Sequence, residues 1–160
     1  MGKNLFYSVA RWAIVIVIIL SLGVGGGSNS VSKADPQEVA AAVTAEIDMS
    51  QMLPGANQLI KRFYGLDPAA YEACILYYPA TNMMAEELLI VKLKDTSQQE
   101  AVRKAAEKRI ETQKTTFEGY GVEQFEMLSN NAVIEVRGNY VLFVVNANSA
   151  QAKKAFLKAL

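Results

Sequence analysis

The sequence predicts an α+β domain: an antiparallel sheet of about four strands with helices packed on one face, preceded by one N-terminal membrane segment. Three observations lead to this prediction. Residues 12–24 form an unbroken apolar run, residues 132–145 have the pattern of a β-hairpin, and strand-like and helix-like stretches alternate over the rest of the chain. We therefore expect a leader with a Gly/Ser linker over residues 1–34 and a single domain over residues 35–160.

The leader has two readings. Its apolar run, WAIVIVIILSLGV, follows the basic residues Lys3 and Arg11. It is an uncleaved signal-anchor if the helix extends back past Arg11 to bilayer length, and a signal peptide if it is cut after the small-x-small tripeptide Ser32-Lys33-Ala34. The glycines at 25–27 are a nearer but poorer cleavage site. Both readings keep the N-terminus in the cytoplasm, because basic residues favour that side. The domain is then outside the cell membrane, or secreted if the leader is removed.

Composition and charge limit the chemistry of the domain. The chain has 16 basic and 16 acidic residues, but residues 1–34 hold three of the bases and no acid. Residues 35–160 are therefore net negative, which argues against a nucleic-acid partner. The chain has no His and a single cysteine, Cys74, so it offers no ordinary zinc site, no Ser-His or Cys-His pair and no internal disulfide. We expect no cofactor and no metal. Cys74 lies in a strand-like run and is expected to be a buried thiol, with pairing between chains as the alternative.

The helices are predicted from their start signals and apolar spacing. Asp35-Pro36 begins the first helix, which extends to about Asp48. Asp95 caps the longest helix, which extends to about Phe117. Shorter helices are expected over residues 55–64, over residues 122–128 and after Asn148.

Four strands are predicted from β-branched and aromatic content. Two of them, AVIEVR and YVLFVV, are separated by Gly138-Asn139, a composition typical of a two-residue hairpin turn. The other two cover residues 71–78 and 88–94. The order strand, strand, helix, strand, strand, helix suggests a ββα pseudo-repeat.

Three phrases resemble one bacterial family. They are ATNMMAEELLIVKLKD (80–95), RIETQKTTFEGYGVEQ (109–124) and VRGNYVLFVV (136–145). The chain is similar, from about Ala34 to Leu160, to a mainly Firmicutes envelope family known as domain of unknown function 4358. The resemblance implies an exported domain, often tethered to the membrane or lipid-anchored, with no established activity and no catalytic or ligand residues to carry over. No cysteine follows the apolar run here, which favours the transmembrane or secreted form.

Two loop stretches are candidates for recognition, because both are rich in residue types that interfaces prefer. One covers residues 77–84 and the other residues 117–121. The candidate binding residues are Tyr77, Tyr78, Asn82, Met83, Met84 and Tyr120. The alternative is that the aromatic side chains of these stretches pack into the core and the glycines serve only the backbone.

These observations favour a non-enzymatic, membrane-tethered module that binds a protein or polymer of the bacterial cell envelope. A hydrolase that uses two carboxylates is the first alternative. It requires a cleft with two acids about 5–9.5 Å apart. A structural spacer is the second alternative. The sequence leaves the oligomeric state open.

Overall fold

A computed structural model describes residues 30–160 of the chain. The predicted membrane run, Trp12–Val24, lies outside the described residues, so both readings of the leader stay predictions. Within residues 30–160, no helix is long and apolar enough to cross a membrane.

The described chain forms five α-helices and five strands, together with two short 3₁₀ turns at Pro68–Ala70 and Thr96–Gln98. In chain order the elements are α1 (Pro36–Thr44), β1 (Met52–Gly55), α2 (Asn57–Tyr64), β2 (Ala73–Pro79), β3 (Glu87–Lys92), α3 (Gln99–Phe117), α4 (Val122–Asn130), β4 (Ala132–Arg137), β5 (Tyr140–Val145) and α5 (Ser149–Ala159).

The strands form one antiparallel sheet in the order β1-β2-β3-β5-β4. The α+β class, the antiparallel sheet and the hairpin at Gly138-Asn139 are confirmed. The sheet has five strands rather than about four, because β1 pairs with β2 from Met52 opposite Pro79 to Gly55 opposite Leu76. This strand has only four residues, and one of them is Pro54. A proline that cannot donate to the ladder is tolerated here because β1 is an edge strand.

The prediction that helices cover one face of the sheet is wrong, because helices cover both faces. In β3, Leu88 and Ile90 pack in the core beneath α1 and α5, whereas Leu89 and Val91 pack in the core beneath α2, α3 and α4. All residues of β3 and β5 are buried. A strand that is buried on both faces appears in the sequence as a continuous apolar run, as LLIV and YVLFVV do. Even Lys92, the last residue of β3, is only 8% exposed.

The elements follow one another along the chain in the order of a ββα pseudo-repeat, but the two ββα units are not related by symmetry in space. The pairs β2-β3 and β4-β5 lie symmetrically about the sheet centre, with β3 antiparallel to β5. A two-fold axis that relates two antiparallel neighbours is perpendicular to the sheet and keeps each helix on its own face. Helices α3 and α5 lie on opposite faces, so no such axis superposes the two units.

Local signals explain where the helices begin. The Asp35 carboxylate accepts hydrogen bonds from the backbone N–H groups of Gln37 and Glu38, and Pro36 occupies the first helical turn. Asp95 and Gln98 form a reciprocal capping box ahead of α3.

Replacement of Phe156 tests the second covered face. Phe156 is fully buried on the face of α1 and α5, so Phe156→Ala is expected to lower the free energy of unfolding by about 3–5 kcal/mol. Urea unfolding of the full chain in detergent, followed by circular dichroism, measures the change. Leu53→Ala, at a 44% exposed position on the edge strand, is the control and changes stability by less than about 1 kcal/mol. A similarly small effect of Phe156→Ala would contradict the two-faced sheet.

Candidate functional site

A groove of about 360 Å³ opens beside the connection between β2 and β3. Its lining comes from three parts of the fold: the end of β2 with the following turn, helix α2 and helix α3. The residues that line it are Phe63, Tyr78, Pro79, Ala80, Thr81, Asn82, Met84, Arg109, Gln113 and Thr116.

Three of the six residues predicted from the sequence meet at this groove: Tyr78, Asn82 and Met84. Their common position follows from chain geometry, because Tyr78 lies next to the end of β2 and the other two belong to the connection that reverses the chain. The Tyr78 ring packs 6.1 Å from the Phe63 ring of α2, measured between ring centroids. This contact joins the aromatic wall of the groove to the helix beside it.

The other three predicted residues lie elsewhere. Tyr77 is one position before Tyr78 in the strand, so its side chain points to the opposite face and packs against the core beneath α1 and α5. Met83 is 55% exposed and does not line the groove. Tyr120 is 58% exposed in the turn after α3, with its ring centroid 6.0 Å from that of Phe117. Phe117 itself is buried, as the core alternative predicted.

A buried ion pair lies beneath the groove. Glu87, the first residue of β3, is 1% exposed. One carboxylate oxygen, Oε2, lies 2.9 Å from Nη2 of Arg109 and accepts a 3.0 Å hydrogen bond from its Nε. The other oxygen, Oε1, accepts a 2.6 Å hydrogen bond from the Tyr64 hydroxyl at the end of α2. Glu87 therefore joins the central strand to both α2 and α3.

The environment of this cluster shifts two pKa values. Burial raises the pKa of the Glu87 carboxyl, although the nearby Arg109 guanidinium and the Tyr64 hydroxyl oppose the rise. Burial also raises the pKa of the Tyr64 hydroxyl well above its usual range, and the adjacent Glu87 carboxylate adds to that rise. The tyrosine is thereby kept as a hydrogen-bond donor.

The ion pair fixes the guanidinium that reaches the groove. The Arg109 Cζ lies 4.4 Å from the centroid of the Phe63 ring, a cation–π contact. Its Nε and Nη2 face Glu87, while Nη1 forms no hydrogen bond with any described residue. One helical turn further along α3, the side-chain amide of Gln113 also has no hydrogen-bond partner among the described residues and lines the same groove. The groove thus combines apolar walls with amide and guanidinium donors.

The groove carries no net charge. Among the described residues that line it, Arg109 alone is charged, and Glu87 balances that charge from below. Without an acid in its lining, the groove does not supply the carboxylate pair that the hydrolase alternative requires. No cluster of three or more metal-binding side chains occurs in residues 30–160.

Sequence reasoning missed Tyr64, Glu87 and Arg109, although the sequence contained a signal. In α3 the core positions Val102 and Ala106 are followed three residues later by Arg109, so the arginine stands on the buried stripe of the helix. Glu87 shares the face of Leu89 and Val91 at the start of a strand buried on both sides. An acid and a base on two facing apolar surfaces indicate a buried pair.

Cys74 lies in β2 and packs against the same core as Leu89. It is only partly buried, whereas the sequence predicted a buried thiol, and this burial raises its pKa to about 11. The residue therefore has little thiolate character at neutral pH.

These features define a small α+β domain with helices on both faces of an antiparallel sheet and a groove without net charge at one end. The chain matches the family model described as Domain of unknown function (DUF4358) over residues 45–146, and it belongs to that family. The matched region includes the whole sheet and the groove. Comparison with curated proteins finds no match, and comparison with solved structures finds none.

Arg109→Met tests the buried pair. It leaves the Glu87 carboxylate buried without its partner, and the expected loss is about 3–5 kcal/mol in the free energy of unfolding at pH 8. In the folded variant, the pKa of the Glu87 carboxyl is raised further above its value in the unfolded chain. Because the folded state takes up the proton more readily, the loss shrinks as pH falls and grows as pH rises through that pKa.

The matched control is Arg103→Met on the exposed side of the same helix. Arg103 pairs with Glu100 and Glu107, and its side chain is 44% exposed, so the expected change is below about 1 kcal/mol. Urea unfolding at pH 5 and pH 8 measures both variants. Equal losses for the two arginines, or a loss at Arg109 that does not depend on pH, would contradict the buried pair.

The raised pKa of Cys74 predicts slow alkylation. With a pKa of about 11 in the folded chain and about 8.5 in the unfolded one, the thiolate population at pH 8 differs by roughly two orders of magnitude. Iodoacetamide should therefore label the native chain about a hundredfold more slowly than the chain in urea. Mass spectrometry measures the rate. Equal rates would show that Cys74 is a reactive, accessible thiol.

Proposed function

We propose that this chain is a membrane-tethered extracytoplasmic binding domain that holds an uncharged segment of an envelope protein in its groove and performs no catalysis on it. The observation that carries the proposal is the groove itself, where Tyr78, Asn82 and Met84 meet the guanidinium of Arg109.

The chemistry of the groove supports an uncharged peptide segment. Phe63, Tyr78 and Met84 offer apolar surface to side chains. The Nη1 of Arg109 and the amide of Gln113 offer donors to main-chain carbonyl oxygens. Because Glu87 already balances Arg109, a strongly charged segment gains no net attraction and still loses its hydration.

The position of the groove also supports this role. Glu87, beneath the groove, and Lys92, beside the segment that leads back to the leader, are at opposite ends of β3. Five residue steps of strand separate them, or about 17 Å. A domain tethered through residue 30 therefore presents the groove at the end of the sheet away from its tether.

Substitution of the adjacent residues Met83 and Met84 tests the proposal. A photo-crosslinker at position 82 of the tagged full chain, activated in cells, is expected to capture a protein that co-purifies after detergent solubilisation. Met84→Ala removes an apolar wall of the groove and should lower the yield of that adduct at least about fivefold, since burial of a Met side chain is worth about 1.5–3 kcal/mol. Met83→Ala, one position earlier and outside the groove, should leave the yield unchanged.

Equal yields of the adduct in the two variants would contradict binding in the groove. Retention of the purified full chain on isolated envelope polymer, with the same dependence on Met84, would show that the ligand is a polymer and not a protein.

A further inference from the structure

The segment that precedes α1 is docked on the β4-β5 hairpin. The backbone N–H of Ser32 donates a 2.7 Å hydrogen bond to Oδ1 of Asn139, and Nδ2 of Asn139 donates a 3.1 Å hydrogen bond to the Ser32 carbonyl oxygen. The Asn139 side chain thus forms with Ser32 the two hydrogen bonds that the main chain of a neighbouring strand would form. The approach is so close that a Cβ at Gly138 would collide with the carbonyl oxygen of Ser30.

The side chain of Ser32 adds two further contacts. Its hydroxyl donates a 3.0 Å hydrogen bond to the main-chain oxygen of Leu160 and accepts a 3.1 Å hydrogen bond from the backbone N–H of Ala34. Ser32 therefore lies between the hairpin turn and the end of α5.

Two buried side chains hold the carbonyl oxygen of Ala34. The Tyr140 hydroxyl donates a 2.6 Å hydrogen bond to it, and Nζ of Lys92 donates a 3.1 Å hydrogen bond to the same atom. Tyr140 is fully buried and Lys92 is 8% exposed. The next residue, Asp35, caps α1, and Pro36 is the first residue of that helix. The Ala34–Asp35 peptide bond is thus fixed on both sides by the fold.

This bond is the one that the tripeptide Ser32-Lys33-Ala34 offers for cleavage. A peptidase that recognises such a tripeptide binds it extended and attacks the carbonyl carbon of its last residue. In the folded domain, the main chain of Ser32 and the carbonyl of Ala34 are already engaged, and a protease would have to open the segment and the start of α1 before it could bind.

We propose that folding of the domain closes this cleavage site, so that a leader still attached when the domain folds stays attached. The contacts also bias the outcome towards retention. A chain that began at Asp35 would lose both hydrogen bonds between the Asn139 side chain and the main chain of Ser32, and it would also lose those that Tyr140 and Lys92 donate to the Ala34 carbonyl oxygen. The same segment thus acts as a tether and as a structural part of the domain.

The test uses purified full chain in detergent, incubated with a bacterial signal peptidase and followed by intact mass. Leu142→Asp places a charge at a fully buried position and supplies an unfolded full-length substrate. We expect this variant to be cut after Ala34 and the wild-type chain to remain intact. The double variant Asn139→Ala, Tyr140→Phe loosens the segment and should be cut at least tenfold faster than wild type.

Tyr64→Phe is the matched control for Tyr140→Phe, since both tyrosines are buried and both hydroxyls donate a 2.6 Å hydrogen bond. It should be as resistant as wild type. Cleavage of wild type at the rate of Leu142→Asp would overturn the proposal, and so would resistance of Leu142→Asp at Ala34, because there would then be no site to close. Equal acceleration by Tyr64→Phe would assign the effect to general loosening of the fold instead of to the docked segment.

Discussion

The burial of Glu87 is the constraint on which the groove depends. A carboxylate at the start of a fully buried strand is costly unless it is paired and hydrogen-bonded, and here Arg109 and Tyr64 supply both kinds of partner. Since Tyr64 belongs to α2 and Arg109 to α3, the contacts that they make with the Glu87 carboxylate hold both helices against the central strand. The remaining guanidinium edge is then held beside Phe63, where it faces the groove. The Arg109 side chain is thus positioned by a buried ion pair.

The two faces of the sheet support different features of the domain. One face, beneath α2, α3 and α4, carries the ion pair and the groove. The other face, beneath α1 and α5, carries Tyr140, whose hydroxyl holds the segment that leads to the leader. Because the groove and this segment are at opposite ends of β3, the proposed binding end of the domain lies away from its proposed attachment end.

Much of the fold could be predicted from the sequence, because its signals are local. The hairpin at Gly138-Asn139 and the helix starts at Asp35 and Asp95 depend on neighbouring residues, and the structure confirms them. Strand β1 and the second covered face depend on partners distant in sequence, so local patterns did not predict them. The same holds for the site. Tyr78, Asn82 and Met84 stand out by composition, whereas Arg109 is recognisable only from the helix stripe that it interrupts.

Binding in the groove can be measured by methyl NMR of the full chain in detergent, labelled at its methionine methyl groups and titrated with isolated envelope proteins. Binding in the groove should shift or broaden the Met84 signal and leave that of the buried Met52, on the other face of the sheet, unchanged. Arg109→Met, tested under conditions where the variant is folded, should abolish this change. A response confined to Met83, or one that persists without Arg109, would contradict a binding site built on the Glu87–Arg109 pair.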